Sequence, residues 1–160
     1  MLRFASPTEA DVTELGDAMR LADREELAAC GIYDAHEAAR HGAAFSAMCW
    51  AAHDDTGLLC IFGVAPVAER VDIGAPWLLG TFRLFGSTQR RSLVVDSRAY
   101  IALMLERFPT LINFVHAKNT RSVRWLASLG FALAPAAPYG PHDELFHMFK
   151  KQRDVPATHP

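Results

Sequence analysis

The sequence predicts an α+β fold: a mixed sheet of about six or seven strands with helices on both faces. Three observations carry this expectation. Leu58 to Val64 (LLCIFGV), Trp77 to Thr81 (WLLGT) and Leu111 to His116 (LINFVH) are apolar runs of strand length, the first continuous enough for a strand buried on both faces. Leu93, Val94, Ile101, Met104, Leu105 and Phe108 recur at helical spacing, with Arg90, Arg91, Arg98, Glu106 and Arg107 largely off that stripe. The inferred order, β-α-α-β-β-β-α-β-α-β-β, interleaves helices with strands, so part of the sheet must be parallel and joined by right-handed crossovers.

Each element follows from local chemistry. Leu2 to Ala5 is a short strand. Ser6 is the expected helix N-cap, with Pro7 in the first helical position and Glu9 at the third, ahead of Val12, Leu15, Ala18 and Met19 at helical spacing. A second helix runs through Asp23, Glu26 and Leu27 and stops near Gly31, and His36 to Gly42 forms a further short helix or turn. Ala47 to His53 is a strand, and Asp54-Asp55-Thr56-Gly57 is a hairpin turn into Leu58 to Val64. Pro66 to Pro76, with its prolines, glycine and charges, reads as a loop. From Gln89 the pattern is helical until Pro109. Asn119 or Thr120 caps a short helix through Val123, Trp125, Leu126 and Leu129, and Gly130 is the expected left-handed residue at its end. Phe131 to Leu133 and Phe146 to Phe149 are the last strands, with a Pro-rich loop, Ala134 to Asp143, between them.

The 160 residues fit one domain, expected over 1–150, with 151–160 as a loose tail. Hydrophobic residues at 51% and charged residues at 21% exclude a disordered chain. No apolar run approaches the ~18 residues of a membrane span, and the start, MLRFASPTEADVTEL, lacks the apolar stretch of a secretory signal. A net charge of −2 gives no electrostatic footprint for nucleic acid or anionic lipid. Cys30, Cys49 and Cys60 are odd in number and form no CxxC pair, which suits buried thiols in a reducing compartment.

Three segments carry chemistry-bearing residues. Arg83-Leu84-Phe85-Gly86-Ser87-Thr88 lies between a strand and a long helix, where unpartnered amides and the helix dipole favour a phosphate, with Arg90 and Arg91 nearby. On the residues alone, a plain connecting loop with solvated arginines is the simpler reading. Asn113 to Thr120 delivers His116, Lys118 and Asn119 to the carboxyl end of a strand, the usual ligand rim of a parallel sheet. His116 titrates in the range of a general base; the alternative is a strand-end polar residue, with Asn119 as a cap. Asp23-Arg24-Glu25-Glu26, with Asp17 and Arg20 nearby, places Asp23 and Glu26 on one helix face, ordinarily a solvated face with local ion pairs, otherwise a base or a partner for a cationic amine. The seven histidines show no metal spacing and no serine sits in a GxSxG elbow. The three tryptophans belong to the core or its edges.

The run Asn119-Thr-Arg-Ser-Val-Arg-Trp-Leu-Ala-Ser-Leu-Gly-Phe131 resembles the second signature of the GNAT N-acetyltransferase superfamily, and Arg83-x-x-Gly86-x-Thr88 falls where those proteins carry a pyrophosphate loop. PWLLGT, PTLINFVHAKNTRSVRWLASLGF and a final FHMF are also similar to the internal virion protein A family of short-tailed phages. The resemblance implies a GNAT fold and a phage origin. Two positions depart from the enzyme pattern. Leu126 stands where many GNAT enzymes place a tyrosine general acid, and Thr88 is bulky for the close approach of a phosphate. Tyr33, Tyr139 and His116 remain as other proton donors.

The leading expectation is therefore a phage virion-associated protein, internal or head–tail, with other virion proteins as partners. It would use the fold as a structural or binding module with weak or no catalysis, in the virion or, before assembly, in the host cytoplasm. The alternative is an acetyl-CoA-dependent N-acyltransferase acting on a protein or small-molecule amine. Acetyl-CoA is required only by that alternative. There the backbone amides of the Trp77–Thr81 strand, Leu79 and Thr81 among them, would polarise the acyl carbonyl. Arg83, Gly86, Ser87 and Thr88 would hold the pyrophosphate, with Asn119 beside the cofactor, and Glu26 or His116 would deprotonate the amine. No membrane is expected as a partner. Nucleic acid is disfavoured by charge, although the arginines from Arg83 to Arg98 form a local cluster.

Overall fold

A computed structural model describes residues 1–86 and 90–155. The chain runs β1 (Arg3–Ala5), α1 (Glu9–Ala18), α2 (Leu21–Ala29), α3 (Ala35–Phe45), β2 (Met48–Asp54), β3 (Gly57–Val67), β4 (Arg70–Gly80), α4 (Arg90–Arg107), β5 (Thr110–His116), α5 (Thr120–Ser128), β6 (Ala132–Leu133), β7 (Ala137–Tyr139) and β8 (Glu144–Gln152). The strands form one mixed sheet in the order β1-β2-β3-β4-β5-β8-β6, with β7 also on β8. The α+β class and the mixed sheet are as the sequence predicts. Two elements exceed the expectation: α3 is a full helix, and the Pro-rich loop contains β7.

Each face of the sheet has its own core. Leu15 of α1, Met19 just after it, and Ala35 and Ala39 of α3 pack on Ala51, Leu58, Ile61 and Leu79. On the other face Leu93, Met104, Leu105 and Phe108 meet Leu59, Cys60, Phe62, Val64 and Leu111. The ladder shifts register at Ala52/His53. The extra residue in β3 puts Leu59 and Cys60 on the same face, so the strand serves both cores without strict alternation. Gly63 sits where the paired strands come closest. A Cβ there would overlap the Met48 carbonyl oxygen, so Gly63→Ala should cost about 1–3 kcal/mol, as overpacking does, read as a lower urea midpoint.

Some local expectations are corrected. Thr8, not Ser6, caps α1: Asp11 N–H donates to Thr8 Oγ1 (3.1 Å) and Thr8 N–H to Asp11 Oδ2 (2.9 Å). Both frames offer a hydroxyl followed by an acid three residues on, and the observed one turns Leu15 fully inward. Pro66 to Pro76 is largely hairpin rather than loop, closed by Glu69 with φ of 63°. Pro66 lies beyond the end of β2, and the missing N–H of Pro76 falls on the side away from β3, so neither proline breaks the ladder. The tail begins later than residue 151. β8 runs to Gln152, and Arg153 donates to the carbonyls of Leu105 (2.7 Å) and Glu106 (2.6 Å); residues 156–160 lie outside the described residues.

Candidate active site

The site is a gap in the sheet. β4 and β5 are parallel neighbours whose ladder consists of Ile73 with Thr110 and Gly74 with Leu111. Beyond these pairs the strands part. Asn113 spans the gap near its vertex: its Nδ2 donates to the Pro76 carbonyl (2.9 Å), and its Oδ1 accepts from the Phe114 amide (2.8 Å). The opening leads into a cleft of about 680 Å³ that reaches both faces of the sheet. Leu27, Ile32, Phe45 and Tyr139 line one side and Leu93, Tyr100, Ser122, Trp125 and Leu126 the other.

Strand alternation decides which backbone groups face this gap. Thr81 N–H donates to the Leu59 carbonyl (2.9 Å), and Thr81 Oγ1 donates to the Leu58 carbonyl (2.7 Å). Leu79, two residues earlier, turns the same way. The amides of Leu79 and Thr81 therefore face β3, which corrects the expectation that they polarise an acyl group. Leu78 turns its amide and carbonyl toward the gap instead. The Gly80 amide also faces the gap but is taken by Asp23 Oδ2 (2.7 Å).

Asp23 and Glu26 of α2 are not part of a solvated face, although Glu25 is exposed. Asp23 is 1% exposed, and Arg20 grips it with Nε and Nη2 at 2.8 Å each. Arg20 Nη2 also donates to Asn119 Oδ1 (3.2 Å) and Ser122 Oγ (2.8 Å), so one guanidinium joins α2 to α5. Burial pushes the Asp23 carboxyl up, opposed by Arg20 and the Gly80 amide. Glu26, one turn on, lines the cleft and accepts from the His116 amide. Burial, helped by the neighbouring Asp23 charge, raises its pKa from 4.5 to about 7 against the pull of that amide.

Other expected residues have different places. His116 is buried, with Nε2 at 2.9 Å from Glu144 Oε1 and its ring beside Phe146, and it is not among the residues lining the cleft. Its contribution to the site is its backbone amide. Lys118 is exposed. Asn119 occupies the N-cap position of α5 without a side-chain cap bond; its amide helps the charged forms of Asp23 and Glu26, yet Nδ2 completes no hydrogen bond. Trp125, on the cleft wall, leaves Nε1 without a partner as well. Arg83 pairs with Glu14 (3.2 Å) and lies over the Phe82 ring, 4.5 Å from its centre. Gly86 closes a turn onto the Arg83 carbonyl (3.2 Å). Ser87 and Thr88 lie outside the described residues. Tyr33 is exposed and bonds His142 (2.7 Å), while Tyr139 stacks on Phe114 at 4.0 Å in the cleft wall. Cys60 is buried and Cys30 and Cys49 half-buried, all three as free thiols. Among the described residues no group of three His, Cys, Asp or Glu could hold a metal, and no helix is long and apolar enough to cross a membrane.

Parted parallel strands, a loop leading into the helix after the first of them, and a strand–helix–strand unit ending in Leu129-Gly130-Phe131 together make the GNAT acetyltransferase fold. Solved structures support the assignment. The acetyltransferase of GNAT family from Streptococcus pneumoniae matches with a TM-score of 0.64 at 13% identity, over 96% of this chain and 100% of that one. Spermidine N-acetyltransferase from Vibrio cholerae, in complex with CoA and spermine, gives 0.64 at 12%, over 94% and 95%. An aminoglycoside acetyltransferase in complex with coenzyme A gives 0.65 at 14%, over 96% and 95%. No family model and no curated protein matches the chain.

These neighbours overturn the leading expectation from sequence. Acetyltransferases, some of them with coenzyme A or acetyl-CoA, are among the solved structures that share the fold. The virion-associated structural role, with its virion partners and location, gives way to the acyltransferase reading. Sequence reasoning set Arg20 beside the α2 acids and included Leu78 in the Trp77–Thr81 strand, but gave Asn113 and Ser122 no role. Asn113 alone left a signal, as a single amide inside an otherwise apolar strand, LINFVH.

Proposed function

We propose that the protein is an acetyl-CoA-dependent N-acyltransferase acting on an amine, small or protein-borne. The observation that carries the reading is a parted pair of parallel strands with one half-buried carboxyl, Glu26, facing the gap. The residues suit the cofactor. Leu78 offers a free amide and carbonyl in the gap, Trp125 Nε1 on the cleft wall is a donor in want of an acceptor, and the Gly86 turn leads toward the N-terminus of α4. Bound acetyl-CoA supplies an activated acyl group as a thioester. Arg83, committed to Glu14, contributes less to a diphosphate than the backbone around Gly86.

The chain's own groups then handle charge and protons. An ammonium entering the cleft gives one proton to Glu26, whose pKa of about 7 suits a base at neutral pH. The free amine bonds to the acyl carbon as the carbon–sulfur bond breaks, while the Leu78 amide donates to the acyl oxygen. The nitrogen's second proton leaves with the sulfur, so Leu126 need not supply one. Glu26 returns its proton to solvent.

Calorimetry with acetyl-CoA tests the reading, and saturable binding is expected. Among the described residues a Cβ at Gly86 meets nothing nearer than the Arg83 carbonyl oxygen at 3.8 Å, so Gly86→Glu should fold with an unchanged Tm. Its carboxylate should repel a diphosphate and remove the binding. Absence of binding by the unaltered chain at millimolar acetyl-CoA would overturn the proposal.

A further inference from the structure

We propose that the acceptor is a primary amine on a single aromatic or aliphatic body with no second charge; this rests on the acyltransferase reading. The acceptor side of the cleft is walled by Leu27, Ile32, Phe45, Trp77, Phe114 and Tyr139. This wall is built in place. Trp77 Nε1 donates to Ser46 Oγ (2.7 Å), and Gly42 leaves the indole its slot, since a Cβ there would lie 2.8 Å from the ring. Tyr139 stacks on Phe114 with the planes 10° apart. Ile32, Phe45 and Tyr139 remain 43%, 65% and 40% exposed, an apolar rim that a ligand would cover.

Charge sorts the candidates. Among the described residues the lining holds two carboxylates, Glu26 and Glu37, and no arginine or lysine. Glu37 is already paired with Arg40 (2.9 Å). One carboxyl is thus left for one ammonium. A polyamine or aminoglycoside would bring further cations to an apolar wall without partners, which is costly. A free amino acid would bring a carboxylate that meets no cation of this kind.

The test compares 2-phenylethylamine, n-hexylamine, spermidine, phenylalanine and a peptide with a free N-terminus at saturating acetyl-CoA, read by thiol release and product mass. The first two should exceed the others at least about tenfold in kcat/KM. Phe45→Glu, a change at an exposed rim position, should move the ratio toward spermidine by about tenfold. Quenching of Trp77 fluorescence by 2-phenylethylamine without cofactor gives a readout independent of turnover and should saturate. Equal or better use of spermidine, phenylalanine or the peptide would overturn the proposal. So would an unmoved ratio in the variant, or no quenching. Loss of acetyl-CoA binding with quenching intact would instead sink the acyltransferase reading and leave the amine pocket standing.

Discussion

Glu26→Gln should slow acetyl transfer by about 10²–10⁴-fold, the usual contribution of a general base, while making the fold more stable at pH 8. Both effects come from burial. The folded-state pKa of about 7 against an ordinary 4.5 means that the native chain holds a proton there which the unfolded chain has released. Below about pH 4.5 both states are protonated and the group is neutral in the balance. Between there and pH 7 the folded state binds more protons, so stability falls as pH rises, by an amount on the order of 3 kcal/mol. Glutamine keeps an acceptor for the His116 amide and carries no charge to bury. The variant should therefore lose the decline in Tm between about pH 4.5 and 7 and gain on the order of 1–3 kcal/mol at pH 8. In the unaltered protein kcat/KM should rise with pH through an inflection near 7, and this limb should vanish in the variant. A variant that keeps full activity, or that melts lower at pH 8, would remove Glu26 from the mechanism.

Arg20→Ala should be the most damaging single change to the fold at this site. Asp23 is 1% exposed, and its two oxygens accept from Arg20 and from the Gly80 amide. Removing one partner of a buried pair leaves the other charge uncompensated, at a cost of about 3–5 kcal/mol. The same guanidinium also holds Asn119 and Ser122, so α5 loses its tie to α2. Without Arg20 the Asp23 carboxyl, already pushed up by burial, rises further. The deficit should therefore be smaller at acid pH than at pH 8, because protonation of the folded-state carboxyl relieves the uncompensated charge. Urea titrations at the two pH values read the difference. An equal loss at both would place the cost in packing rather than charge.

Much of the architecture was legible because it rests on short-range physics. LLCIFGV and LINFVH declare strands by apolar run length, and α4 by its stripe. Gly130 has the expected left-handed φ of 89°. What was misread depends on partners distant in sequence. The acids of α2 look like a solvated charge run until β4 supplies the Gly80 amide, 57 residues from Asp23. His116 looks like a base until Glu144 and Phe146 enclose it. Which amides of the Trp77–Thr81 strand face the gap is a matter of period two, and only a known register reveals that Leu78 does while Leu79 and Thr81 do not. Leu126, taken as an argument against catalysis, says only that one proton route is missing.

The brace formed by Asn113 has a consequence for how the cleft meets its ligands. Because one side chain ties Pro76 to Phe114 across the vertex, the angle between the two strands is established when the chain folds, before any ligand arrives. Association then has little rearrangement of the scaffold to drive, and more of the contact energy is free to appear as affinity.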